Sequence, residues 1–240
     1  CSSGHGRTRG DAPTYKVIIV MRVVSLGSGS SGNALLVEAG PQGRTKLLVD
    51  AGLSGSLLHE RLRKVNVDPT QLQGILVTHE HSDHVLGLPL LTKRYATPII
   101  ADARTCSAIE DGILSGSWRT DSGALVTTPS DNMHRVVEPS LDSPTTQADQ
   151  STRCMQPLPA GTRRVIGDIE VVSFPISHDA VAPCGYLLTA GGCRVCLVTD
   201  SGEVTAEMLT HIAEADLLIL EANHDRERLR RGPYPQMLKN

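Results

Sequence analysis

Thr78-His79-Glu80-His81-Ser82-Asp83-His84 places three imidazoles and two carboxylates in seven residues, directly after the apolar run Gly74-Ile75-Leu76-Val77. The run reads as a short buried strand, so the cluster falls on the loop leaving its C-terminal end, a common place for ligands on α/β scaffolds. Glu80 and Ser82 alternate out of the pattern, which leaves H-x-H-x-D-H as the part with chemistry in it. Imidazole nitrogens and carboxylate oxygens at this spacing suit zinc, manganese or iron. His79 and His81 are two apart, so on an extended segment they point the same way and can chelate one ion. Asp83 and His84 are adjacent, and a turn or the first residues of a helix would aim them at a second. Two ions about 3.5 to 4 Å apart would share a hydroxide and polarise a phosphoryl or carbonyl oxygen. The motif alone therefore predicts metal-assisted hydrolysis.

Upstream, the β-rich Val17 to Leu26 runs into Gly27-Ser-Gly29-Ser-Ser-Gly32-Asn33, a literal G-x-G-x-x-G with Asp50 at a suggestive distance beyond it. A dinucleotide fold would need a crossover helix there, whereas Ala34 to Ala39 is followed at once by Gly40-Pro41-Gln42-Gly43. Strand, turn, strand is the better reading, with the glycines shaping a tight loop whose amides could cradle a phosphate or form a plain turn. Ser54 to Val65 reads as an amphipathic helix, Val85 to Tyr95 as a helix, Pro98 to Ala101 as a strand and Asp102 to Leu114 as a helix. From Ser115 to Thr162 the composition turns to Ser, Thr, Pro, Asp and Gln, and we expect a disordered insertion. Order returns with a hairpin over Arg164 to Asp179 that ends in His178, a strand pair ending in Asp200, a helix over Glu203 to Ala213 and a strand Leu217 to Leu220. Strand ends at 50, 79 to 84, 178 and 200 thus carry His or Asp, and one rim would hold two metals if the sheet order joins them.

A chain of 240 residues can bury one full core. We expect a disordered leader over residues 1–15 and a single domain over 16–240. The formal charge of -3 gives no global attraction to nucleic acid, so polyanion binding must come from a local basic patch or from metals. Arg226, Arg228, Arg230 and Arg231 could grip a backbone, although such a run also suits a solvated helix face. No apolar run approaches the ~18 residues of a membrane span. Six cysteines without repeated spacing suit thiols in a reducing cytoplasm. Cys193-x-x-Cys196 lies on a strand that would point the two sulfurs to opposite faces.

These residues resemble the metallo-β-lactamase fold superfamily: His79-x-His81-x-Asp83-His84 matches its signature, Asp50 its first acidic motif, His178 its third motif and Asp200 its bridging carboxylate. Ser25-Leu-Gly-Ser-Gly-Ser-Ser-Gly-Asn33, Ser177-His-Asp-Ala180, Thr199-Asp-Ser-Gly202 and Glu221-Ala-Asn-His-Asp225 with Gly232-Pro-Tyr-Pro235 look like its YycJ/WalJ-like nuclease branch. The resemblance implies a four-layer αββα sandwich and a DNA exonuclease acting 5′ to 3′ with two divalent ions, zinc or manganese. It implies that His79, His81 and His178 hold one metal, that Asp83 and His84 hold the other, and that Asp200 bridges while Asp50 orients a ligand. The family's last histidine ligand stands in a Gly-His-Leu-Ser-Asn motif beyond Gly-Pro-Tyr-Pro, and the sequence stops at Asn240, so a C-terminally truncated sandwich is expected. The hydrolysis expected is of a phosphodiester in DNA, with Asp83 and Asp200 as catalytic carboxylates and His224 for leaving-group protonation or phosphate contact. The same metals would serve a hydrolase of small phosphodiesters or thioesters, or stay inactive in a truncated metal-binding domain.

Overall fold

The computed structural model describes residues 21–120, 124–127 and 154–221. The first sheet has the order β1 (Arg22–Gly27), β2 (Ala34–Ala39), β3 (Thr45–Val49), β4 (Gly74–Leu76), β5 (Ile99–Ala101), β8 (Met155–Pro157). It is antiparallel as far as β3 and parallel beyond. The second runs β13 (Leu217–Leu220), β12 (Cys193–Val198), β11 (Cys184–Ala190), β10 (Ile169–Pro175), β9 (Arg163–Ile166). A small ribbon pairs β6 (Ser117–Arg119) with β7 (Leu125–Thr127).

Strand periodicity sorts the apolar residues into layers. Leu36, Leu48, Ile75 and Ile99 face one side of the first sheet, packing with Leu58 and Leu62 of α1 (Gly55–Lys64), Leu88 and Leu91 of α3 (Leu88–Tyr95) and Ile109 of α4 (Ala103–Ser115). Their strand neighbours Val37, Leu47, Leu76 and Ile100 face the other way, against Val171, Tyr186, Leu188 and Leu197 of the second sheet. Beyond that sheet Phe174, Leu187, Cys196 and Val198 cover Met208 of α5 (Ala206–Ala213). Helices, sheet, sheet and helix make the four-layer αββα sandwich expected.

The G-x-G-x-x-G segment joins β1 to β2 as an antiparallel pair with Val24 opposite Leu36, which removes the dinucleotide reading. Cys193 is exposed and Cys196 buried, and both are free thiols.

Two expectations need correction. The helix expected over Val85 to Tyr95 is two helices, α2 (Ser82–Val85) and α3, parted at Gly87. The Gly87 amide donates to the Ala51 carbonyl at 2.7 Å, and a Cβ at Gly87 would stand 2.6 Å from the Leu53 carbonyl oxygen, so the loop after β3 sets the break. Within the expected insertion, residues 117–119 and 125–127 form the β6–β7 ribbon, and β8 extends the first sheet beside β5. Trp118 and Leu158 there are buried, so packing against α4 and the inter-sheet core overrides the polar composition. Residues 1–20, 121–123, 128–153 and 222–240 lie outside the described residues, and with them the leader, most of the insertion, the C-terminal motif, His224 and the arginine run.

Candidate metal centre

Each predicted ligand sits where a strand ends. The parallel pairing of β3 with β4 puts Asp50 beside the Thr78 to His84 segment, and β10 and β12 deliver His178 and Asp200 from the second sheet. Across the two sheets Tyr186 donates its hydroxyl to the Val77 carbonyl at 2.7 Å, and the Cys184 amide donates to the Thr78 carbonyl at 3.0 Å. These bonds hold the root of the histidine loop against β11. Asp50 and Asp200 both have left-handed backbones, at φ 58° and 56°. That region is costly for most side chains and best tolerated by Asn and Asp.

Two donor groups emerge. One ligand atom each from His79, His81 and His178 lie within 4.8 Å of one another, as do those from His79, His84 and Asp200. His178 Nε2 stands 3.2 Å from His81 Nδ1, although the residues are 97 apart in sequence. His84 Nε2 lies 3.0 Å from Asp200 Oδ2 and 3.5 Å from Asp83 Oδ2. The structure therefore brings His79, His81, Asp83, His84, His178 and Asp200 onto one rim. It places His79 in both groups.

The surroundings fit a cation. His79 Nε2 is buried and has no hydrogen-bond partner among the described residues, an arrangement that costs free energy unless something else engages the nitrogen. Burial first, then the neighbouring His84, His178 and His81, hold the His79 imidazole well below its ordinary pKa and so neutral, the state a metal needs. His84 goes the other way. Burial lowers it, but Asp50, together with hydrogen bonds to Asp200 and Asp83, outweighs burial and holds it well above the ordinary value. Burial also works to raise Asp200, yet its contacts with His84 and Glu221 win and depress it. An imidazolium held among three carboxylates is the charge pattern that a divalent ion can take over. Cys184 lies beneath the site, but burial pushes its thiol up to about 11, which excludes a thiolate donor at neutral pH.

Asp50 acts from behind, as predicted. It is buried, receives the Thr78 amide at 2.8 Å and the Thr78 hydroxyl, and stands 2.8 Å from His84 Nδ1. A proton kept on Nδ1 leaves the Nε2 lone pair for a metal.

Three residues escaped the sequence reading. Thr78 Oγ1 lies 3.0 Å from His79 Nδ1 and 3.3 Å from His84 Nδ1, linking both rings to Asp50. Asn33 Nδ2 lies 3.3 Å from Asp83 Oδ2 and 3.1 Å from His84 Nε2. Glu80, set aside in the motif, is buried and accepts the Val181 amide at 2.9 Å, tying the histidine loop to the one bearing His178. Only for Thr78 was there a signal, its place between the strand and the first histidine.

Fold and donor set together define a metal-binding member of the beta-lactamase superfamily, and the chain belongs to it: the model of the beta-lactamase superfamily domain matches residues 45–237. Within it the chain stands in the YycJ/WalJ-like branch. It is 35% identical over 214 residues to the protein named exodeoxyribonuclease YycJ of Bacillus anthracis, covering 89% of this chain and 67% of that one. It is 36% identical over 214 residues to exodeoxyribonuclease WalJ of Streptococcus pneumoniae, covering 89% and 66%. The chain thus spans about two thirds of the length of these relatives. Among solved structures, Zn(2+)-bound PqqB from Methylobacterium extorquens matches with TM-score 0.60 at 16% identity, over 89% of this chain and 77% of that one. The metallo-beta-lactamase fold protein YhfI from Bacillus subtilis matches with TM-score 0.55 at 17% identity, over 85% and 73%. At these identities the structural likenesses speak for the fold alone.

Proposed function

We propose that the chain is a metal-dependent phosphodiesterase that degrades DNA exonucleolytically, 5′ to 3′. The observation that carries the reading is the convergence of the two donor groups, sharing His79, on one rim. The relatives bearing the exodeoxyribonuclease name support DNA as the substrate. In this reading His79, His81 and His178 hold one divalent ion, Asp83 and His84 hold a second, and Asp200 lies between them; zinc and manganese both suit such donors. Bound there, the cations supply Lewis acidity, activating water and neutralising charge on the phosphoryl oxygens. The protein's own work is orientation and protonation. Asp50 keeps the His84 proton on Nδ1, Thr78 fixes the neighbouring ring of His79, and Glu80 sets the His178 loop. His224 remains the candidate for leaving-group protonation. We further place residues 16–240 in one domain, acting in the cytoplasm; the free thiols among the described residues suit that setting. No helix among the described residues is long and apolar enough to cross a membrane.

The test is turnover of 5′-labelled DNA, small cyclic phosphodiesters and thioesters by the purified metal-loaded chain. DNA should be degraded from its 5′ end, chelator should stop it, and Asp200→Ala should abolish it. Thioester turnover without DNA hydrolysis, or full activity in Asp200→Ala, would overturn the proposal.

A further inference from the structure

A cavity of about 260 Å³ opens beside the second donor group. One wall is Asp83, Thr199, Asp200 and Glu221, and the facing wall is the loop Ser28-Gly29-Ser30 with Asn33 at its base. The walls differ in chemistry. The first is rich in carboxylates, and the segment from Gly27 to Asn33 carries no charged side chain, offering hydroxyls and backbone amides instead. Ser28 and Ser30 are exposed, so their hydroxyls are free to turn toward a ligand.

The loop is fixed where it meets the metal centre and open where it faces the cavity. Asn33 receives the Gly29 amide on Oδ1 at 2.9 Å, while its own amide donates to the Asp83 carbonyl at 2.7 Å. Gly32, at φ +131°, packs so closely that a Cβ would stand 2.6 Å from the Gly52 carbonyl oxygen. Gly29, at φ +108°, has nothing within 4 Å of where a Cβ would stand, so its left-handed backbone aims the chain and leaves the space beside it empty.

We propose that Ser28, Gly29 and Ser30 form a subsite for the terminal 5′-phosphate monoester of the DNA strand, a refinement that rests on the nuclease reading above. Hydroxyl and amide donors match a phosphate's acceptor oxygens. A stacked base fits less well, because no aromatic side chain lines the cavity among the described residues. The volume falls below the ~300 Å³ at which drug-sized pockets begin, which suits a chain end and excludes a duplex. Because carboxylates form the far wall, the dianion is welcome only once cations neutralise them, so occupancy follows metal loading.

The experiment compares single-stranded oligodeoxynucleotides carrying a 5′-phosphate or a 5′-hydroxyl, as substrates and as ligands in fluorescence anisotropy, using the manganese-loaded chain and its Ser28→Ala/Ser30→Ala variant. The wild type should favour the phosphorylated end by about tenfold or more in kcat/KM and in affinity, a charge-assisted hydrogen bond accounting for roughly that factor. The variant should keep its metal content and lose most of the preference. Equal treatment of both ends by the wild type, or an undiminished preference in the variant, overturns the subsite. If neither oligonucleotide is hydrolysed, the nuclease reading fails and the anisotropy comparison alone decides the subsite.

Discussion

Gly52→Ala tests whether backbone packing behind the metal loop sets its geometry. A Cβ on Gly52 would stand 1.5 Å from the Asp83 carbonyl oxygen and 2.1 Å from its carbon, both backbone atoms. Ordinary carbon–oxygen contact begins near ~3.3 Å, so the Asp83 backbone must retreat by about 1.8 Å. Retreat strains the 2.7 Å bond from the Asn33 amide to Asp83 and the 2.8 Å bond from the Gly52 amide to Asn33. Overpacking of this kind costs about 1–3 kcal/mol and each lost bond about 1 kcal/mol, so a destabilisation of roughly 3–5 kcal/mol is expected. Asp83 and His84 move together, and metal affinity should fall by at least about tenfold. Urea melts give the stability and competition against a chelator the affinity. Gly202→Ala is the control, since its new methyl would meet only the Ser177 carbonyl at 3.7 Å. If Gly52→Ala kept wild-type stability and bound metal within twofold of wild type, the reasoning would be refuted.

Asp50→Asn should weaken metal binding by about 10- to 100-fold, because an amide facing His84 Nδ1 donates to it and drives the ring proton onto Nε2, the atom needed for ligation; chelator competition within twofold of wild type would contradict this. Stability of the metal-free protein should peak near pH ~6.5, the value for unperturbed imidazole. His79, depressed in the fold, contributes above that pH and loses its contribution as pH falls, whereas His84, raised, contributes fully below it and loses its contribution as pH rises toward its folded value. Urea melts across pH 5 to 9 should show both arms, and a curve that keeps rising through pH 9 would contradict the assignment of His84. Glu80→Ala strips the Val181 amide of its acceptor, at about 1–3 kcal/mol, and should lower metal content; Glu80→Gln, which keeps an acceptor, should restore it, and metal content unchanged in Glu80→Ala would remove the tether.

The ligand motif was legible because its residues are contiguous and its spacing carries the geometry. The layers were legible too, since pairs such as Leu47 and Leu48 or Ile75 and Leu76 show that both faces of a strand are buried. What could not be read depends on partners far away in sequence. Asn33 acquires its role from a loop 50 residues on, and Glu80 from an amide 101 residues on. The break at Gly87 follows from carbonyls at 51 and 53, and β8 is a strand because β5 offers it an edge, not because Met-Gln-Pro favours one.

The left-handed backbones at Asp50 and Asp200 narrow what evolution can substitute there. Glycine would relax the chain and delete the anion; asparagine would keep the bend and neutralise it; glutamate would preserve charge on a residue ill suited to that twist. Each escape route forfeits one of two requirements, so these aspartates are pinned by conformation and chemistry at once.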